Sequence, residues 1–293
     1  MKIVLSSNCM TGGLVASMRV LFPHAEVVPL PSTVDDLDLF RRSLLDAHVW
    51  FASNADGFKD AALKDLNNPQ LRVVYFPDLY FNAFHPDQVY AWMPDRSLVE
   101  GATGPYNSAI VLWAWQNRLS PERTIELFRP EVMNALGYHD RWNRSIERLR
   151  LDYSKFPHLD YTRFIDPLRH AGCFMHTVNH PKVSAIARLA RVLAQHIDPT
   201  LDTDSVPLED VLVDTLFNAS FAWAVYPSVA NSLGFSSRYL WKRADHSVIG
   251  LEEFVGESFA RYDTQQPVDV ECHELELPIY DQVLAPASGG VRR

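Results

Sequence analysis

Four short stretches of the chain carry side chains with chemical potential. The first is Ser6-Ser7-Asn8-Cys9-Met10-Thr11-Gly12-Gly13. It follows the apolar run Ile3-Val4-Leu5 and precedes a segment with helical spacing. A thiol at the start of a helix feels unpaired amides and the positive end of the dipole, which favour thiolate. Gly12 and Gly13 would let the backbone approach a ligand, so their amides could hold an oxyanion. The plainer reading is a small buried cysteine in a tight turn.

The second stretch, Ser53-Asn54-Ala55-Asp56-Gly57, follows another apolar run. The Asn54 amide is either a second oxyanion donor or a turn and cap residue. The third is Asn82-Ala83-Phe84-His85-Pro86-Asp87. His85 is either a base for Cys9, oriented by Asp87, or part of a His-Pro-Asp turn. The fourth is His176-Thr177-Val178-Asn179-His180-Pro181-Lys182. Asn179 or His180 would cap the helix that follows, with Pro181 in its first turn. An imidazole there is pushed toward its neutral form and suits a general base. Free amides and Lys182 would instead suit a phosphate. Zinc lacks ligands at the required spacing on this element, and no metal is expected.

Positioning these groups falls to a regular rhythm. Residues 2–5, 26–30, 48–52 and 72–76 read as strands, and 14–22, 35–47 and 58–66 as helices. Strand and helix in alternation mean crossover units and a parallel sheet, whose ligands bind beyond the carboxyl ends of the strands. Cys9 and Asn54 lie at two such ends, and His85 lies shortly after a third. From residue 101 the pattern becomes helical, at 108–117, from Ser120-Pro121, at 133–151, 182–197 and 251–262. The expected organisation is an α/β core with the catalytic turn over 1–100 and a mostly helical region over 101–293 packed on it, either as a separate part or as one continuous domain. Aromatics such as Trp113 and Trp115 read as core.

Bulk composition narrows the classes. Charged residues are 22% and hydrophobic ones 47%, as in an ordinary soluble domain. A net charge of −9 argues against a nucleic-acid binder. Three scattered cysteines form neither a disulfide framework nor a zinc site. No run approaches the roughly 18–20 apolar residues of a membrane span, and the start lacks the pattern of a signal peptide. The expected location is the cytoplasm.

Several segments together resemble the WcbI-type capsule polysaccharide biosynthesis proteins. They are KIVLSSNCMTGGL, VVYFPDLYFNAFHPDQVY, GPYNSAIVLWAWQNRLSPERTIELF, LGYHDRW, FMHTVNHPK and YPSVANSLGF. The family opening usually reads Gly-Asn-Cys-Gln, whereas Ser7 and Met10 flank Asn8-Cys9 here. The resemblance implies an SGNH- or flavodoxin-like core and an O-acetyltransferase that uses acetyl-coenzyme A. A sugar or sugar-nucleotide hydroxyl would be the acceptor. It further implies that Cys9 accepts the acyl group or lies beside the thioester, with His85 or His180 as base and Asn54 at the oxyanion. Asn8, Gly12, Gly13, Asn179, Lys182 and Arg188 would hold the coenzyme. An SGNH-like esterase or thioesterase and a non-catalytic coenzyme A or nucleotide binder are the alternatives.

Overall fold

The computed structural model describes residues 1–30, 36–53, 57–64, 66–168 and 170–289. In chain order they form β1 (Lys2–Ser6), α1 (Thr11–Leu21), β2 (Glu26–Pro29), α2 (Leu37–Leu44), β3 (Val49–Ser53), α3 (Gly57–Leu63) and β4 (Arg72–Phe76). Then follow β5 (Gln88–Val89), β6 (Asn107–Ser108), α4 (Ala109–Gln116), α5 (Pro121–Ile125), α6 (Pro130–Ala135), α7 (Arg141–Ser154), α8 (Tyr161–Leu168) and α9 (Val183–Ile197). Beyond these come five further α-helices, the longest being Leu251–Tyr262, two 3-10 turns and the short strands Trp241–Lys242 and Val248–Ile249.

The described chain divides into two compact units. The first comprises Met1–Tyr80, Glu147–Met175 and Asn179–Phe217; the second comprises Phe81–Ile146, His176–Val178 and Asn218–Arg293. A single boundary near residue 100 is therefore replaced by an interleaved one. The physical reason lies in the sheet. Both faces of a parallel sheet must be covered, and α1–α3 do not suffice. The chain returns to supply α8 and α9 to the first unit, with α9 packed along α1.

In the first unit all pairings are parallel and the strand order is β2-β1-β3-β4. The α/β fold with a parallel sheet is thus as the alternating periods imply. The order matches the beginning of the flavodoxin-type doubly wound sheet, whose direction of winding reverses between β1 and β3. Alternation sorts the side chains between two layers. Val4, Trp50 and Ala52 join Phe40, Leu44 and Ala62 of α2 and α3 in one cluster. The two helices α1 and α9 approach closely at Gly13, where an added Cβ would stand 3.0 Å from Ile186.

The second unit is built around aromatic packing. Trp241 stacks on Phe254 with ring centroids 4.1 Å apart, and Trp223 meets Phe254 edge-on. The apolar helix α4 is buried on nearly every side, with Trp113 and Trp115 donating their indole N–H groups to Asp281 and Asp263. Both tryptophans are core residues, as the sequence implies. The single helix expected over 133–151 is two helices, because Gly137 adopts a φ of +72° between α6 and α7.

Candidate active site

The first unit brings two distant segments together at the carboxyl end of the sheet. β1 ends at Ser6, and the turn to α1 is tied by its own side chains. The Ser7 amide donates to the Thr11 hydroxyl, the Thr11 hydroxyl donates to the Ser7 carbonyl, and the Met10 amide donates to Asn8 Oδ1. These bonds leave the Cys9 side chain on the surface. Its Sγ lies 3.7 Å from Asn8 Oδ1 and 3.7 Å from the Asn179 carbonyl oxygen. The Asn-Cys turn and the Asn-His-Pro-Lys segment thus meet at the sulfur.

At the start of α1, the Thr11 amide is taken by the Asn8 carbonyl and the Leu14 amide by the Met10 carbonyl. The amides of Gly12 and Gly13 have no acceptor among the described residues. Gly12 is open, with nothing within 4 Å of an added Cβ. Gly13 is buried, and its missing side chain serves the approach of α1 to α9.

The Asn-His-Pro-Lys segment differs from expectation in its cap. α9 begins at Val183, not at Asn179 or His180. Phe174 and Met175 pair with Lys182 and Pro181: Met175 bridges Pro181, and the Lys182 amide donates to the Phe174 carbonyl at 2.9 Å. That extended pairing delays the helix, and Asp214 Oδ2 caps the Val183 amide from outside at 3.1 Å. Asn179, His180 and Lys182 are half-buried beside this pairing.

The thiol does not follow the expected shift toward thiolate. Protein atoms crowd the sulfur enough to cost a thiolate its hydration, and the Asp78 carboxylate adds like charge. Together they push Cys9 up to about 11, against a weaker opposing effect from its own backbone hydrogen bond. Asp78 stands two residues beyond β4 and is half-buried. It was not singled out from the sequence. A signal existed all the same: an acidic residue just past a strand end occupies the same kind of position as Cys9.

The other expected site residues are placed differently. Asn54 lies outside the described residues. Arg188 faces a surface cleft of about 350 Å³ bounded by α8 and α9, where Arg163, Arg191, Asp166, Asp204 and Gln195 stand nearby. Cys9, Asn179, His180 and Lys182 are not among the walls of that cleft. His85 belongs to the second unit, where it is buried and its Nδ1 lies 3.4 Å from the Ala224 carbonyl oxygen. Asp87 does not serve as its orienting partner. It accepts hydrogen bonds from the hydroxyls of Ser108, Tyr138 and Tyr226 and from the Ile110 amide. Also in the second unit, the Val178 amide donates to Gln88 Oε1 and the His176 carbonyl accepts from the Trp223 amide. Among the described residues, no group of three His, Cys, Asp or Glu side chains could hold a metal ion. No described helix is long and apolar enough to cross a membrane.

A doubly wound α/β sheet with an accessible thiol at its first strand end, next to the winding reversal, defines a class of small-molecule sites. The family model described as polysaccharide biosynthesis enzyme WcbI matches residues 2–202, and the chain belongs to that family of enzymes. Among solved structures, one neighbour superposes with a TM-score of 0.68 at 14% identity, covering 99% of this chain and 98% of its own. That neighbour is described as WcbI, a novel polysaccharide biosynthesis enzyme, in its native form without the disulfide bond between coenzyme A and a cysteine. The likeness at this identity concerns the fold. No curated protein matches the chain.

Proposed function

We propose that this protein is an O-acetyltransferase, moving an acetyl group from acetyl-coenzyme A to a sugar hydroxyl in capsule or other surface polysaccharide synthesis. The observation that carries the reading is the accessible Cys9 sulfur at the β1–α1 turn, with the Asn179–Lys182 segment folded onto it. The pairing of coenzyme A with a cysteine in the description of the structural neighbour supports the choice of coenzyme.

In this reading the thioester lies beside Cys9. His180, which follows Asn179 directly in the chain, takes the proton of the sugar hydroxyl as the oxygen attacks the acetyl carbonyl. Asn54 and the unengaged amides of Gly12 and Gly13 stabilise the oxyanion. Asn8, Asn179, Lys182 and Arg188 contribute to holding the coenzyme. His85 is the rival base. The raised thiol pKa favours direct transfer over an acetyl-Cys9 intermediate, because a thiol near 11 is almost wholly protonated at neutral pH.

The test is to incubate the protein with acetyl-coenzyme A, with and without candidate sugars. Free thiol release and protein mass are then followed. Direct transfer predicts thiol release that depends on the sugar, with no acetyl adduct on the protein. Sugar-independent release identifies a thioesterase instead, and coenzyme binding without release identifies a binding protein. Under direct transfer His180→Ala abolishes turnover, whereas Cys9→Ala reduces it without abolishing it. Complete loss in Cys9→Ala together with an acetyl adduct in the unaltered protein would establish the covalent route.

A further inference from the structure

The cleft of about 350 Å³ between α8 and α9 belongs wholly to the first unit. Helical spacing builds its walls. Thr162, Arg163 and Asp166 share one face of α8, and Arg188, Arg191 and Gln195 recur at steps of three and four along α9. Arg188 stands five residues beyond Val183, about 7.5 Å along the axis, and Gln195 lies nearer the carboxyl end. The three guanidinium groups are engaged very differently. Arg191 is saturated: it pairs with both oxygens of Glu209 at 2.6 and 2.7 Å and donates to the Thr203 and Val206 carbonyls. The Arg163 guanidinium makes one bond, to Asp204 at 3.2 Å, with both side chains exposed. A pair of that kind contributes little and is easily exchanged. Arg188 makes no hydrogen bond or ion pair among the described residues, and its Nε is buried without an acceptor. Its charge acts on Glu209, but Arg191 already holds both oxygens of that carboxylate.

We infer that this cleft binds a phosphorylated sugar ring, with Arg188 and Arg163 on the phosphate. A buried N–H calls for an acceptor, and the guanidinium fork of Arg188, Nε included, matches two phosphate oxygens. Arg163 exchanges Asp204 for the same phosphate. Arg191, fixed by Glu209, keeps the wall of α9 in shape. The remaining wall groups suit hydroxyls: the Asp166 and Asp204 carboxylates accept from them, and the Gln195 amide both accepts and donates. A bare inorganic anion uses only part of such a site, and the two aspartates oppose it. Two ligands present this chemistry, a free sugar phosphate and the ribose 3′-phosphate of coenzyme A. The inference stands on the geometry of the cleft and does not depend on acetyl transfer.

The experiment is calorimetric titration of the full-length protein at low salt with glucose 1-phosphate, glucose, inorganic phosphate, coenzyme A and 3′-dephospho-coenzyme A. At least one of the two phosphate monoesters should bind more tightly than inorganic phosphate and than its own dephosphorylated form. Arg188→Ala should weaken that ligand by about tenfold or more. Arg188→Lys should recover only part of the loss, since lysine keeps the charge without the fork. Asp204→Asn, which releases Arg163 and removes a negative charge, should tighten binding, a gain that a purely structural role for Arg188 does not produce. Sensitivity of glucose 1-phosphate to these changes identifies a sugar phosphate site and takes Arg188 away from the coenzyme. Sensitivity of coenzyme A, with the dephospho form indifferent, identifies the coenzyme as the ligand. Failure of both monoesters to bind overturns the inference, as does unchanged affinity in a folded Arg188→Ala. If Arg188→Ala does not fold, Arg163→Ala and Asp204→Asn decide: weaker binding in the first and tighter in the second support the site, and unchanged affinity in both overturns it.

Discussion

Cys9 in the first unit and Asp87 in the second are each surrounded by oxygen-bearing groups, and the two environments are built to opposite ends. Cys9 is exposed, with its two side-chain contacts at 3.7 Å. Asp87 is fully buried and saturated: Ser108, Tyr138 at 2.8 Å, Tyr226 at 2.6 Å and the Ile110 amide at 3.0 Å all donate to it. A group proposed to meet a ligand is left accessible and loosely held. A group meant to fix a fold is desolvated and given every partner it can use. Asp87 ties β6, α4, the start of α7's flanking loop at Tyr138 and the segment at Tyr226 into one knot, which is why it does not orient His85.

The largest effect should come from undoing that knot. Asp87→Ala leaves buried hydroxyls and an amide without their acceptor, and should cost about 3–5 kcal/mol in urea unfolding. Cys9→Ala should change stability by no more than about 0.5 kcal/mol, since it removes one loosely held surface atom. Similar costs for the two would erase the distinction between a site for ligand and a site for folding.

Asp87 also makes a pH prediction with an unusual sign. Burial pushes its carboxyl up to about 6 from the ordinary aspartate value of 3.8, in spite of the hydrogen bonds that lower it. Between those values the folded protein binds more protons at this group than the unfolded chain does. Its contribution to stability is therefore fully present below about 4 and is lost as pH rises through 6. The size is on the order of 2–3 kcal/mol. Compared with Asp87→Asn, the unaltered protein should gain stability as pH falls from 6 to 4. Parallel pH profiles for the two proteins would show that the carboxyl is ordinary and that the saturated shell does not carry the cost assigned to it.

The contrast also explains what the sequence made legible. Period alone located β1 to β4, because each strand is a short apolar run between turns, and the rule that ligands gather at strand ends led to Cys9. The same rule pointed to Asp78, but an acidic residue after Phe-Pro looks like any turn, and only its charge acting on a sulfur some seventy residues earlier sets it apart. His-Pro-Asp looked catalytic since Asp87 stands two residues from His85. Its real partners come from positions 108, 110, 138 and 226, which no local pattern connects. The start of α9 was misplaced for a related reason: Pro181 reads as a first-turn residue until Met175 is seen to pair with it. The organisation into two units was hidden as well, because a helical period does not say which sheet a helix will cover.

The finest comparison is between adjacent glycines in α1. A Cβ on Gly13 would meet Ile186 Cδ1 and Cγ2 at 3.0 Å, whereas one on Gly12 meets nothing within 4 Å. Gly→Ala inside a helix is favourable by about 0.5–1 kcal/mol when space allows. Gly12→Ala should therefore stabilise by up to that amount. Gly13→Ala should instead cost about 1 kcal/mol, as overpacking between α1 and α9 outweighs the helical gain. Adding Ile186→Ala should remove most of the Gly13→Ala penalty, so that the two changes are clearly non-additive in a double-mutant cycle. Coenzyme affinity then separates the roles: Gly12→Ala should weaken binding while raising stability, because its methyl group would occupy the open approach to the unengaged amides. Unchanged affinity in Gly12→Ala would assign both glycines to the fold and remove the helix terminus from the proposed coenzyme site.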